Sequence, residues 1–367
     1  MTRILVFGMN QNPGGMESFI MNYYRRINRE KIQFDFLTNC PSIAYEQEIA
    51  ALGGHVFKIT PRSQNYPLYR RQLTAFFETH AADYDGVWMN TCSLANIDYL
   101  KMAKKYGIPR RIIHSHNAQN MDSRLRGVLH TLNKGAVTRY ATDFWACSRQ
   151  AGAFFYGDAI RNSPRYQEIP NAIDPTPFLF DSAVRASVRK QMAVEDTLVI
   201  GHVGRLHFQK NQAFLLDVFK DIRTHRPHSR LWLVGQGQDE PTLRRKAAEL
   251  GLTDAVDFLG VREDIPRLLQ GMDVFVFPSR FEGLGIALVE AQAAGLPCVT
   301  STAVPRDAAV TDLVTFLPLS DSPALWAQAA LQAAGTPRTD RRAEIAAAGY
   351  DIHTQVTHLE ALLEERV

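Results

Sequence analysis

Two doubly wound α/β domains are the architecture this 367-residue sequence predicts. Three observations point there. Apolar runs of about five residues alternate with amphipathic stretches, the pattern of right-handed βαβ units around a parallel sheet. The alternation stops at a segment with three prolines, Pro170–Phe180, and then starts again. The length also suits two domains, at roughly 100–200 residues each.

The elements follow in order. Apolar runs in the first half predict strands at 4–8, 34–38, 56–60, 86–89, 111–114, 144–147 and 167–170. Amphipathic stretches predict helices at 17–27, 46–52, 69–79, 96–106 and 125–140 between them. Proline lacks the amide that a ladder or helix needs, so Pro170–Phe180 reads as a linker with no regular element. The second series predicts strands at 198–203, 231–234, 256–259, 274–277, 298–300 and 315–317, with helices at 213–224, 241–250, 265–270 and 285–294. These strands are short and rich in Val, Leu and Phe, as expected where helices cover both sheet faces. A single helical tail is expected over 341–364. The expected division is 1–172, 173–345 and a terminal helix within 346–367 that packs back on the first domain. Ligands of such sheets bind at the carboxyl ends of the strands, so the expected site is the cleft between the domains.

Composition removes several function classes. Forty-one basic and 38 acidic side chains leave a formal charge of +3. That is too mild a balance for nucleic acid, and no reading motif for it is present. Cys40, Cys92, Cys147 and Cys298 form no Cys-x-x-Cys pair, which argues against zinc or iron–sulfur binding and fits a reducing, cytoplasmic setting. The apolar start is too short for a signal peptide, and no run approaches the roughly 18 residues of a spanning helix. The charge is uneven, however. Residues 1–180 carry a surplus of +7 and the remainder −4. Arg110, Arg111, Arg124, Arg126, Lys134 and Arg139 gather around one strand and the helix after it. An anionic leaflet would suit such a face, as would water.

The sharpest chemical signal is the segment Phe277–Glu290. A buried strand runs into a loop with Gly283 and Gly285, then into a helix. Glycine admits a ligand to the backbone, and a helix N-terminus offers free amides and partial positive charge to an anion. Glu282 precedes that helix and Glu290 lies roughly 7–8 Å along its axis from Gly285. A diphosphate at the helix end would then have a carboxylate on each side for sugar hydroxyls, as a nucleotide-sugar requires. In His202–Asn211, Arg205 and Lys210 follow a strand and would balance two diphosphate charges without a metal. Gly14 and Gly15 precede a helix in the first half but do not match the dinucleotide-binding pattern. The Gly235-Gln-Gly237 turn is structural or part of a base pocket. His114 and His116 alternate along a strand, so one of them is expected to face the site; His116, at the carboxyl end, is preferred. No carboxylate accompanies them for zinc.

Together these motifs resemble the family 4 glycosyltransferases of GT-B fold, over nearly the whole chain. The likeness runs through Gly14-Gly15, His114–Asn117, Ile169–Asp174, Val203–Arg205, Gln209–Asn211, Leu233–Gly237, Phe258–Ile265, Glu282-x7-Glu290 and Glu290–Pro297. The capsular and exopolysaccharide branch is the most similar. The resemblance implies retaining, metal-independent transfer of a hexosyl or N-acetylhexosaminyl unit from a nucleotide-sugar, UDP rather than GDP, to a glycan or lipid-linked acceptor. No cofactor is implied. Arg205 and Lys210 would neutralise the diphosphate, and Gly283, Leu284 and Gly285 would offer backbone amides. Glu282 would hold the donor sugar and Glu290 the ribose. Val261 and Arg262 would border the base, with Gly235 beside them. Gly14 and Gly15 would approach the diphosphate from the first domain, and His116 would touch the transferred sugar or the acceptor. Where the family most often has Phe after the first glycine of its loop, Leu284 stands here. A nucleotide-sugar epimerase of the same fold and a non-catalytic sugar-nucleotide binder are the alternatives.

Overall fold

The computed structural model describes residues 1–117 and 124–365. The chain divides into two compact units: Met1–Ala172 with the segment from Ile352, and Ile173–Asp351.

Unit 1 is a parallel sheet with helices on both faces. Its elements are β1 (Thr2–Phe7), α1 (Gly15–Tyr24), β2 (Ile32–Thr38), α2 (Glu46–Ala51), β3 (Val56–Lys58), α3 (Tyr66–His80), β4 (Gly86–Thr91), α4 (Asp98–Lys105), β5 (Arg110–Ser115), α5 (Arg124–Ala136), β6 (Asp143–Ala146), α6 (Arg149–Phe155), α7 (Asp158–Arg161) and β7 (Tyr166–Glu168). All seven predicted strands are present. Their order is β3-β2-β1-β4-β5-β6-β7, parallel throughout. Every residue of β2 is buried, its polar members included, and buried Asp35 is held by Arg3 and by the backbone amide of His55.

Unit 2 repeats the scheme. It contains α8 (Ser182–Gln191), β8 (Leu198–Val203), α9 (Gln212–His225), β9 (Ser229–Val234), α10 (Glu240–Glu249), β10 (Val256–Gly260), α11 (Ile265–Gly271), β11 (Val274–Phe277), α12 (Ile286–Ala293), β12 (Cys298–Ser301), β13 (Val314–Leu317), α13 (Pro323–Ala333) and α14 (Arg342–Ala347). Its order is β10-β9-β8-β11-β12-β13, again parallel. Each unit therefore has a switch point where the winding reverses, between β1 and β4 and between β8 and β11. Loops leaving the strands there part to opposite faces and open a crevice.

Four helices lay outside the sequence expectation: α6, α7, α8 and α13. They are poor in long apolar runs. Three of them have polar caps as the stronger signal: Ser148 accepts from Ala151 N at 3.2 Å, Asp181 from Ala183 N at 2.7 Å, and Ser322 stands before Pro323 at the start of α13, whereas α7 follows Gly157 with no side-chain cap. The proline segment is not wholly irregular either. Thr176–Phe178 makes a 3-10 turn, Pro at its first positions, with Phe178 buried. The single helical tail is a further correction. It breaks at Gly349, whose φ of +81° is left-handed, and α15 (Ile352–Glu364) follows as a separate helix.

That last helix joins the core of unit 1. Ile352, Val356, Leu359, Leu362 and Leu363 pack with Phe19, Phe34, Trp88 and Trp145. Arg110 secures it from below. Its guanidinium is buried, pairs with Asp143 at 3.0 Å and donates to the carbonyl of Leu362. Arg111 likewise donates to the carbonyls of Tyr140, Ile108 and Pro109. These two arginines are struts: most of the donors they use are turned inward, to carbonyls and to the Asp143 carboxylate, so they add less to the expected basic face than their charge suggests. Lys134 is also engaged, with the carbonyls of Ala153 and Phe154. The side chain of Arg124 lies outside the described residues.

Candidate functional site

Because β8 and β11 are neighbours, the loops after them start from one edge of the unit 2 sheet. These are the two loops that the sequence singled out. Three bonds hold them together: Arg280 N to Gln209 O at 2.8 Å, the Arg280 guanidinium to Asn211 Oδ1 at 3.0 Å, and Gln209 Nε2 to Phe281 O at 3.0 Å. Lys210 Nζ then meets Glu282 Oε1 at 2.7 Å, both side chains largely buried. The same ammonium lies 4.7 Å from the centre of the Phe277 ring. Arg205 is exposed, and its guanidinium has no partner among the described residues.

Gly285 is the N-cap of α12, with φ +91°. It has no side chain to cap the helix; Leu288 N turns back to Gly285 O at 2.8 Å, and the amides of Ile286 and Ala287 remain for an anion. Leu284 is 6% exposed and packs in the unit 2 core, which leaves its backbone alone to serve a ligand. Gly283 lies between Glu282 and Leu284 in the same loop. Glu290, one and a half turns into α12, has a carboxyl with no hydrogen-bond or ion-pair partner among the described residues. Burial pushes it up to about 7.

The turn after β9 closes the other side. Gly235 N donates to Gly260 O at 2.7 Å, which attaches the Val261–Arg262 loop to it. Val261 is 66% exposed, an uncommon fate for a large aliphatic side chain. Arg262 makes a two-pronged pair with Asp264, both bonds at 2.7 Å. A Cβ on Gly237 would lie 2.0 Å from Leu206 O, so that glycine is required by the turn itself.

Sequence reasoning gave His202 and Gln212 no role, yet they brace this loop. His202 is fully buried, and burial takes its imidazole down to about 4. Its Nδ1 faces Val276 O at 2.9 Å, so Nδ1 carries the proton. Nε2 then accepts from Gln212 Nε2 at 3.2 Å, and the same amide donates to Arg205 O at 2.9 Å. Strand β11 is thereby tied to the backbone of Arg205. A polar residue in the buried stretch Leu198–Val203 was the available signal.

In unit 1, Gly14 is the N-cap of α1, and a Cβ on it would meet Glu17 Oε2 at 2.7 Å. A Cβ on Gly15 would meet nothing within 4 Å. His114 and His116 stack with ring centres 4.4 Å apart, and both touch Phe19. The alternation expected of the pair is corrected, though His114 is the fully buried one, accepting from Trp88 Nε1 at 3.3 Å, and His116 the half-buried one. Residues two apart on a strand share a face, so the pair sits together. His116 Nε2 bonds Asn90 Oδ1 at 2.8 Å, and burial lowers its imidazole to about 3, so it is neutral at ordinary pH. Among the described residues no three His, Cys, Asp or Glu side chains gather as a metal site, and no helix is long and apolar enough to cross a membrane.

The arrangement has known counterparts. Residues 197–335 match the family model described as Glycosyl transferases group 1. The chain is 35% identical over 370 residues to the Bacillus subtilis protein named "Putative glycosyltransferase EpsF", covering 96% of this chain and 94% of that one. It is 29% identical, over 60% of its length and 59% of the other, to a GDP-mannose-dependent phosphatidylinositol monomannoside mannosyltransferase of Corynebacterium glutamicum. The crystal structure of Anabaena Alr3699/HepE in complex with UDP and glucose superposes with a TM-score of 0.79 at 21% identity, covering 99% of both chains. That agreement concerns the fold. The chain belongs to the group 1 glycosyltransferases and has their GT-B fold.

Proposed function

We propose that this enzyme is a retaining, metal-independent glycosyltransferase that takes a sugar from a UDP-sugar, with the donor handled by unit 2. The observation that carries the reading is the meeting of Arg205, Lys210, Glu282 and the open end of α12 at one switch point. Two cations and a helix N-terminus match a diphosphate leaving group and leave no charge for a metal to balance. Without ligand, Lys210 and Glu282 neutralise each other. With donor bound, Lys210 would turn to phosphate and Glu282 to sugar hydroxyls. As the glycosidic bond breaks, charge grows on the diphosphate oxygen, where Arg205, Lys210 and α12 stabilise it. The acceptor oxygen attacks from that same face and gives its proton to the departing oxygen. Gly283, Leu284 and Gly285 supply backbone amides, Glu290 the ribose contact, and Gly235, Val261 and Arg262 the base side. Gly14 and Gly15 offer a further backbone approach for phosphate, and His116 acts through Asn90. HepE, a whole-chain fold match, was crystallised with UDP, which supports UDP over GDP. The likeness to EpsF supports a glycan acceptor in surface polysaccharide synthesis.

Calorimetric titration with UDP-glucose at several pH values tests the donor site, because its diphosphate is esterified at both ends and has no proton to lose near pH 7. The ribose diol donates to a carboxylate, so affinity should rise as pH climbs through about 7, where Glu290 loses its proton. The stability sign is opposite. The folded chain holds that proton to about 7, against a usual value of 4.5, so deprotonation between those values costs stability. Glu290→Gln should therefore melt higher than wild type at pH 8 and bind UDP-glucose more weakly, without the pH step. An affinity flat from pH 5.5 to 8.5 in the wild type would remove the ribose assignment. Product analysis with UDP-sugars decides the reaction: a changed donor sugar without acceptor would mean an epimerase, and no turnover a binding protein.

A lipid-linked acceptor would bring the enzyme to a membrane surface, and α5 is the element suited to it. Val128, Leu129 and Leu132 are exposed along α5 at 57%, 36% and 67%, near the exposed Arg139. Co-sedimentation with phosphatidylglycerol vesicles should fall sharply in a Val128→Ser, Leu132→Ser variant; equal sedimentation would dismiss the contact.

A further inference from the structure

We propose that the Phe208 ring, in the unit 2 loop between Arg205 and Lys210, is an aromatic platform on which a sugar ring of the acceptor lies. This rests on the glycosyltransferase reading above.

Of the chain's 20 phenylalanines, all of them among the described residues, Phe208 alone is exposed, at 56%. It does not hang on a loose tip. Residues 207–210 form a turn closed by Lys210 N to His207 O at 2.8 Å. That turn is clamped to the loop after β11: Gln209 O accepts from Arg280 N, and Gln209 Nε2 donates to Phe281 O. The clamp gathers three rings. Phe208 lies 4.6 Å from the His207 ring and 5.9 Å from the Phe281 ring, centre to centre. His207 and Phe281 are half-buried, so the group has an anchored side and one ring in water. A free apolar ring would fold onto its neighbours to leave water. This one is held out, which lowers the ordering cost for whatever binds it.

Its place in the chain says what meets it. Phe208 follows Arg205 by three residues and precedes Lys210 by two, and these are the cations assigned to the leaving diphosphate. Phe281 directly precedes Glu282, assigned to the donor sugar. The base is assigned to a different turn, beside Val261 and Arg262. A group that reaches Phe208 is therefore near the carbon that changes partners, and with a glycan acceptor that group is a sugar. A pyranose has axial C–H bonds on its face and hydroxyls around its edge. The face lies flat on an aromatic ring by dispersion and weak C–H contact, and the edge stays free for polar partners. The donor sugar is served by a Glu282 carboxylate that is only 7% exposed, whereas Phe208 stands in water, where an incoming sugar arrives. A protein partner would need roughly 800 Å² a side, far more than one exposed ring offers.

The four native tryptophans, Trp88, Trp145, Trp232 and Trp326, are fully buried. Phe208→Trp therefore gives the full chain one exposed indole, whose fluorescence acrylamide quenches. Methyl β-glycosides of glucose, galactose and N-acetylglucosamine are added separately with UDP present, and at least one should protect the indole. Sorbitol, which has the hydroxyls but no rigid C–H face, should not. In saturation-transfer NMR the protecting glycoside should bind Phe208→Leu about five- to tenfold more weakly than Phe208→Tyr, because leucine is apolar but has no ring face. Quenching unchanged by every glycoside, protection by sorbitol as strong as by a glycoside, or equal binding in the Leu and Tyr variants would overturn the proposal. An indole protected by a glycoside in a chain that turns over no UDP-sugar would overturn the transferase reading and leave a sugar platform standing. Turnover with an unprotected indole would do the reverse.

Discussion

Arg205→Ala and Lys210→Ala should each lower kcat about 10²–10³-fold, the usual cost of removing one preorganised charge from a developing oxyanion. Their effects on stability should differ. Arg205 is exposed with no partner among the described residues, so its loss should leave the melting temperature in place. Lys210 is 16% exposed and pairs with Glu282, 7% exposed, so its loss strands a buried carboxylate. The double variant Lys210→Met, Glu282→Gln removes both charges and should recover the fold without recovering transfer. Single-turnover assays beside thermal melts separate the two effects. Wild-type rates in both single variants would remove these residues from the diphosphate site.

Gly235→Ala should have the largest effect on stability. Its φ is +130°, and a Cβ would lie 2.2 Å from Gly204 O and 2.9 Å from Gly204 C, both backbone atoms. No rotamer relieves that contact, and the backbone is left strained. A cost above about 3 kcal/mol is expected. At about 2–4 °C per kcal/mol for a unit of this size, melting should fall by roughly 6–12 °C. Gly15→Ala is the contrast. Nothing stands within 4 Å of its Cβ, so melting should hold. If Gly15→Ala also keeps full activity, the ligand does not need that glycine. Differential scanning calorimetry of Gly235→Ala with an unshifted unit 2 transition would mean that the turn can shift as a body.

The two glycines mark how far sequence reasoning reaches. A glycine pair before a helix is visible in the letters at 14–15, and Gly-Gln-Gly at 235–237 equally so. Only the coordinates separate a turn whose own carbonyls exclude a methyl from a helix end facing open space. The central strands were legible because buried parallel strands are mostly apolar on both faces; the edge strands β3, β7 and β13 are only half-buried, and β7 is Tyr-Gln-Glu. The tail was misread because Ala-rich residues propagate a helical pattern across Gly349, and the break depends on one left-handed φ.

By itself the sequence determined the two doubly wound units, the family, and the candidate donor loops, since apolar periodicity and local spacing are properties of neighbouring residues. Tertiary structure decided what those residues face. It paired Lys210 with Glu282, left Arg205 exposed, turned Arg110 and Arg111 into struts, and stacked His114 on His116. These are matters of burial and of partners far apart in the chain, and pairing energies depend on distance and solvent access. Neither can be read from a charge count: of the first half's +7, Arg110 and Arg111 became internal braces, and the helix that follows them shows an exposed apolar face.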